Sequence, residues 1–238
     1  DALRYDSSSA SIYLSLAEVF LRLNKFERAE ETLKSALLLN DSKKEVRELL
    51  AQQYLMRGDI DLGEKQYLIL ESTYPSDIQF SFILAEIAYR KGKVKNAQEK
   101  YWNIYIKDSS QVQALSRAAE LSKINGELEF SFSAFEKLVL IQPENIQFWK
   151  NYSELASNLK IFDKAIDGFN NLARLSNDDP IIKERLGILY FENNQFAESD
   201  SIFSLLYNNG EISPGILYYK TRMAIIEQDF DSAEFFSS

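Results

Sequence analysis

The chain has no cysteine and no histidine, and each absence removes chemistry. Without cysteine there is no disulfide and no thiol nucleophile. Without histidine the commonest general base and the commonest metal ligand are missing, so Ser–His–Asp and Cys–His devices are excluded. Eight glycines and four prolines in 238 residues are sparse, and they form no phosphate-cradling loop. No apolar run reaches about 18 residues, so no membrane span is expected. Lys and Arg number 27 against 36 Asp and Glu, a net charge of −9, with no long basic cluster. Nucleic acid is therefore not an expected partner. Zero cysteines suit a reducing or an oxidising compartment alike and assign neither.

What is present is a period. Repeats of 34 residues begin at Ala10, Lys44, Ile78, Val112, Ile146, Pro180 and Pro214, with no insertion or deletion. The eighth place of each reads Ala17, Ala51, Ala85, Ala119, Ser153, Gly187 and Thr221. The twentieth reads Ala29, Gly63, Ala97, Ser131, Ala165, Ser199 and Ala233. All fourteen residues are small. The seventeenth place is apolar throughout, from Phe26 and Ile60 to Phe196 and Phe230. The twenty-fourth reads Leu33, Tyr67, Tyr101, Phe135, Phe169 and Phe203. A fixed period of this length marks a solenoid.

Within a period, apolar residues recur three and four apart in two blocks, the spacing of two helices. Between the blocks stand Gly58, Gly92, Gly126 or Asn194, residues that accept the left-handed backbone ending a helix. Turns are expected near Asn24, Gly58, Gly92, Gly126, Lys160, Asn194 and Gln228. The period closes at Asp41, Pro75, Ser109 and Pro143, while Pro180 and Pro214 open the next one. The expected fold is all-α, with fourteen helices in antiparallel pairs. Small residues at the eighth and twentieth places let paired helices approach closely. The twenty-fourth-place rings are expected to pack in the core, and Met56 and Met223 to fill gaps.

The spacing Trp149-x-x-Tyr152-Ser153-x-x-Ala156, followed by Ala165 and Phe169, resembles the tetratricopeptide repeat. So do Leu186-Gly187-x-x-Tyr190 with Ser199 and Phe203, and Gly126 with Phe135 and Pro143. The resemblance covers essentially the whole chain. It implies an alpha–alpha superhelix of about seven repeats and a concave groove lined by the first helices, commonly holding an extended peptide or a helix. One departure is consistent. The family's alanine at the twenty-seventh place is replaced by Leu70, Ile104, Leu138, Leu172 and Leu206, which are expected to re-angle neighbouring repeats.

On a helical wheel, the second, fifth, sixth, ninth and thirteenth places of the first helix turn away from its partner. The ninth reads Glu18, Gln52, Glu86, Glu120, Glu154 and Ile188, a ladder of glutamates. Around it lie Arg22, Phe82, Tyr89, Arg90, Arg117, Lys150, Arg185 and Phe191. The candidate partner-binding residues are Glu18, Gln52, Phe82, Glu86, Tyr89, Arg117, Glu120, Lys150, Glu154, Arg185 and Phe191, and the ladder favours a protein or peptide carrying basic residues. The plainer reading is a solvated helix face, with Glu18–Arg22 and Glu86–Arg90 as ordinary ion pairs. A clamp for an acidic C-terminal tail, known in the family, is not written here. Lys150 is followed by Glu154 where asparagine is needed, and Arg117 and Arg185 have Gln113 and Ile181 where lysine is needed.

Asp1 and Ala2 fall on the twenty-sixth and twenty-seventh places of an earlier period, and the chain stops at Ser238 inside a second helix. The expectation is one array over residues 1–238, a segment of a longer protein, whose exposed end could stack on a second copy. Asn40-Asp41-Ser42 and Asn151-Tyr152-Ser153 match a glycosylation triplet, which arises often by chance. No metal, cofactor or catalysis is expected, since plentiful carboxylates alone make no dry site. The expected function is a non-catalytic protein–protein scaffold. The alternatives are a structural spacer or self-assembly module, and an accessory domain of a larger enzyme.

Overall fold

The computed structural model describes residues 7–39 and 44–237, with side chains from Ala10 onward. Asp1, Ala2, Asp41, Ser238 and the triplet Asn40-Asp41-Ser42 lie outside the described residues. The rest is 82% helical, with no strand among the described residues. The helices are α1 (Ser7–Arg22), α2 (Phe26–Leu39), α3 (Lys44–Arg57), α4 (Ile60–Thr73), α5 (Ile78–Arg90), α6 (Val94–Lys107) and α7 (Val112–Ile124). They continue as α8 (Leu128–Ile141), α9 (Ile146–Asn158), α10 (Phe162–Leu175), α11 (Pro180–Glu192), α12 (Phe196–Asn208), α13 (Pro214–Ile226) and α14 (Phe230–Ser237). Every second helix starts at the seventeenth place, and from α3 onward every first helix starts at the first place. The register is thus a structural one.

The reason is local. All seven expected turn residues have positive φ: Asn24, Gly58, Gly92, Gly126, Lys160, Asn194 and Gln228. That conformation ends the first helix of each pair and turns the chain into the second. The connection between α10 and α11 adds two more, Asn177 (φ 53°) and Asp178 (φ 60°), before Asp179 caps α11 and Pro180 begins it. At α9 the Trp149 indole donates to the carbonyl of Pro143 at 2.7 Å, tying the helix to the preceding turn.

The chain forms two compact units, residues 1–121 and 122–238. In the first, α1 pairs with α2, α3 with α4 and α5 with α6, and α2 packs on α3 and α4 on α5. Its core is a chain of clusters, one of which gathers Ala85, Ala88, Ala97, Tyr101 and Ile104 with Ala114, Ala118 and Leu121. In the second unit, α9 pairs with α10, α11 with α12 and α13 with α14, with α8 against α9, α10 against α11 and α12 against α13.

The small residues sit where helices cross. Ala17, Ala29, Ala51, Ala85, Ala97, Ala119, Ser131, Ser153, Ala165 and Ser199 have no exposed surface. The buried hydroxyls spend their proton locally: Ser153 donates to the Trp149 carbonyl and Ser199 to the Gly187 carbonyl. Tyr67, Tyr101, Phe135, Phe169 and Phe203 are buried, as are Leu70, Ile104, Leu138, Leu172 and Leu206. Met223 fills the core, but Met56 does not and is 83% exposed. It stands at the thirteenth place, on the face turned from the partner helix.

Candidate functional site

In the first unit Glu18 and Gln52 are exposed on α1 and α3. Further along, four expected residues come together. The Arg117 guanidinium lies 3.0 Å from Glu120 and 3.6 Å from Glu86, and sits over the Tyr89 ring at 5.6 Å. Glu86 also meets Arg90 at 3.3 Å and accepts from the Tyr101 hydroxyl at 3.4 Å. Burial raises the Tyr101 phenol pKa, against the lowering effect of Arg117. Phe82 is half-buried and meets the Tyr101 ring edge-to-face, with centroids 6.0 Å apart. Glu86 and Glu120 are therefore matched by cations of the same chain, whereas the Glu18–Arg22 pair expected from the sequence is not formed among the described residues, and such exposed pairs contribute roughly 0–1 kcal/mol each.

Phe191 corrects the wheel reading. It is 8% exposed, packed edge-on against Phe196 at 5.3 Å and Tyr219 at 5.2 Å. Arg222, the ninth-place residue of the last repeat, covers its face at 4.5 Å. The next repeat closes over a ring that a single helix would leave open.

The second unit brings Lys150, Glu154 and Arg185 together. They line a cavity of about 520 Å³ between α9 and α11, floored by α10. Ile146, Ile181, Ile182, Phe169 and Leu172 make its wall mainly apolar. Ile181 is 77% exposed and Ile146 48%. Ile181 also borders a smaller adjoining cavity of about 200 Å³ with Ile212 and Ile216. Exposed isoleucines scattered singly are unremarkable, but a contiguous apolar patch with a polar rim marks an interaction surface. At that rim Glu154 pairs with Lys123 at 3.5 Å, and Arg185 donates to the Ser157 hydroxyl at 2.7 Å. A larger crevice of about 830 Å³ opens between α10, α11 and α12. Its two cations are matched within the chain, Arg174 to Glu144 at 3.5 Å and Lys183 to Asp178 at 3.4 Å.

Sequence reasoning missed the polar brackets between successive repeats. Arg57 reaches back to Glu30 at 2.9 Å and Lys91 to Glu64 at 2.6 Å, both across 27 residues. Glu30 also accepts from Lys34 and from the Tyr54 hydroxyl. The hydrogen bond from Lys34 does most to hold its carboxyl below the usual range, against the opposing effect of burial. A base at the fourteenth place with an acid 27 residues earlier was the available signal. Gln53 is buried and donates to the Phe26 carbonyl at 2.6 Å, while its Oε1 has no partner among the described residues.

No cluster of acidic residues suited to a metal occurs among the described residues, and no helix there is long and apolar enough to cross a membrane. A family model of the tetratricopeptide repeat matches residues 1–47. A TPR repeat-containing protein of Methanocaldococcus jannaschii is 22% identical over 233 residues, covering 98% of this chain and 38% of that protein. The BBSome complex member BBS4 of Bos taurus is 20% identical over 208 residues, 87% of this chain and 40% of the relative. The chain thus spans well under half the length of these curated relatives. Among solved structures, a tetratricopeptide repeat protein from Parabacteroides merdae superposes with a TM-score of 0.57 at 16% identity, covering 97% of this chain and 91% of that one. MamA of Desulfovibrio magneticus RS-1 gives 0.53 at 16% identity over 71% of this chain and 96% of its own. These identities speak for the fold alone. Together with the unbroken register of small crossing residues and left-handed turns, they show a chain that has the fold of the tetratricopeptide repeat and is similar in sequence to proteins of that family.

Proposed function

We propose that the chain is a non-catalytic protein-interaction scaffold that takes a short segment of a partner protein against α9 and α11. The repeat family is one of interaction scaffolds in general. The observation that carries the finer reading is the α9–α11 cavity, whose apolar wall is open to solvent at Ile146 and Ile181. Burying such a wall is worth roughly 25 cal/mol per Å² of apolar surface, a contribution that an anchor side chain seated on it would make to docking. The expectation of a basic partner is not carried into this proposal, because Glu86, Glu120 and Glu154 each have a cation at hand.

Site-specific photo-crosslinking tests the reading. A photoreactive residue is placed at Ile181 and, as a control, at exposed Leu140 of α8. Adducts that form from position 181, map to one segment of one protein and are absent from position 140 support docking at the cavity. Equal labelling from both positions would leave a spacer role as the better reading.

A further inference from the structure

The cavity between α9 and α11 carries a polarity opposite to that of the glutamate ladder. Its two acids are already engaged: Glu154 with Lys123 at 3.5 Å, and Asp179 with the backbone N–H of Ile181 at 2.9 Å as the cap of α11. Its two cations are not. Among the described residues Lys150 has no carboxylate within ion-pairing distance, and Arg185 hydrogen-bonds only the neutral Ser157 hydroxyl. Both stand beside Ile146, Ile181 and the Phe169 ring.

An apolar side chain seated on that wall would strip water from the neighbouring cations. Dehydrating a charge is costly unless a counter-charge replaces the lost water. A partner carboxylate supplies it, and a guanidinium can meet both carboxylate oxygens at once. A partner cation would instead face two like charges.

Resting on the reading of this face as a docking site, we propose that its partner is a protein segment with an aliphatic or aromatic anchor beside a side-chain carboxylate. The anchor seats against Ile146 and Ile181, and the carboxylate meets Lys150 and Arg185.

The test is selection of a random 12-residue peptide library, displayed on phage, against the whole chain. Parallel selections use Lys150→Glu/Arg185→Gln and Ile181→Asp, each checked for unchanged circular dichroism and melting. Lys150 is exposed and unpaired, so Lys150→Glu alone serves if the double variant misfolds. Expected are peptides in which Leu, Ile, Phe or Trp neighbours Asp or Glu. A synthetic consensus peptide should bind the wild type about tenfold tighter than the double variant, and about tenfold tighter than its own lysine-substituted copy, the scale of two rim ion pairs. Both gaps should narrow as salt is added. Apolar peptides lost with Ile181→Asp but without acid enrichment, or indifferent to Lys150→Glu, would overturn the polarity and leave the docking face standing. Equal recovery from wild type and Ile181→Asp would remove the docking face, and the polarity with it.

Discussion

Gly187 gives the sharpest test of the packing, because two effects of opposite sign meet there. It lies inside α11, where alanine is a better helix former by about 1 kcal/mol. A methyl group added at its Cα would stand 2.9 Å from Cζ of Phe203 and 3.1 and 3.2 Å from the two adjacent ring carbons. The ring cannot retreat easily. Phe203 is fully buried and stacked on Tyr219, with centroids 5.2 Å apart and planes 3° from parallel. Overpacking of this kind costs about 1–3 kcal/mol, so Gly187→Ala should destabilise by up to about 2 kcal/mol after the helix gain. Phe203→Leu withdraws the colliding atoms, and in that background the same change should stabilise by about 1 kcal/mol. The four proteins of the cycle are compared by urea denaturation at constant slope, followed by circular dichroism. A coupling below about 0.5 kcal/mol would mean that the two side chains do not meet as described.

At the α5–α6 crossing, Ala97→Leu should cost about 1–3 kcal/mol by overpacking, and Glu86→Ala, half-exposed and ion-paired, under about 1 kcal/mol. Equal shifts in urea midpoint would mean the two faces are reversed. Lys160 holds φ at 57°, a conformation that costs a non-glycine residue about 1 kcal/mol. Lys160→Gly should therefore raise the melting temperature slightly despite the added chain entropy, and a lower melting temperature would contradict a left-handed turn there. Burial, reinforced by Glu136 and Asp167, pushes the Tyr152 phenol up to about 12 from 10.0. With the folded pKa above the unfolded one, the stability it contributes is complete below pH 10 and is lost as pH rises towards 12. A pH series of denaturation midpoints on wild type and Tyr152→Phe tests this. An identical alkaline slope in the two proteins would refute it.

Helix starts, turns and crossing residues were legible because the period states each of them seven times. A lone asparagine says little about backbone. Asn194 in phase with Gly58, Gly92 and Gly126 says that φ is positive. What a single-helix wheel cannot contain is the neighbour one repeat away. It placed Phe191 outward, whereas Tyr219 and Arg222 of the following repeat close over it. It also sought partners for the glutamates only within their own helix. Arg117 reaches Glu86 and Lys123 reaches Glu154, both across 31 residues, one period less about one helical turn. That offset follows from stacking and appears in no one helix. The α9–α11 cavity was visible in the register as a break, and its meaning was missed. The second place reads Gln79, Gln113 and Gln147 in three successive repeats and then Ile181, an apolar residue on a polar strip. In a repeat array, places that keep the period report the scaffold, since every copy needs them to pack. A place that leaves the period on an exposed face answers to no packing demand, so the site is best sought there, and Ile181 is such a place.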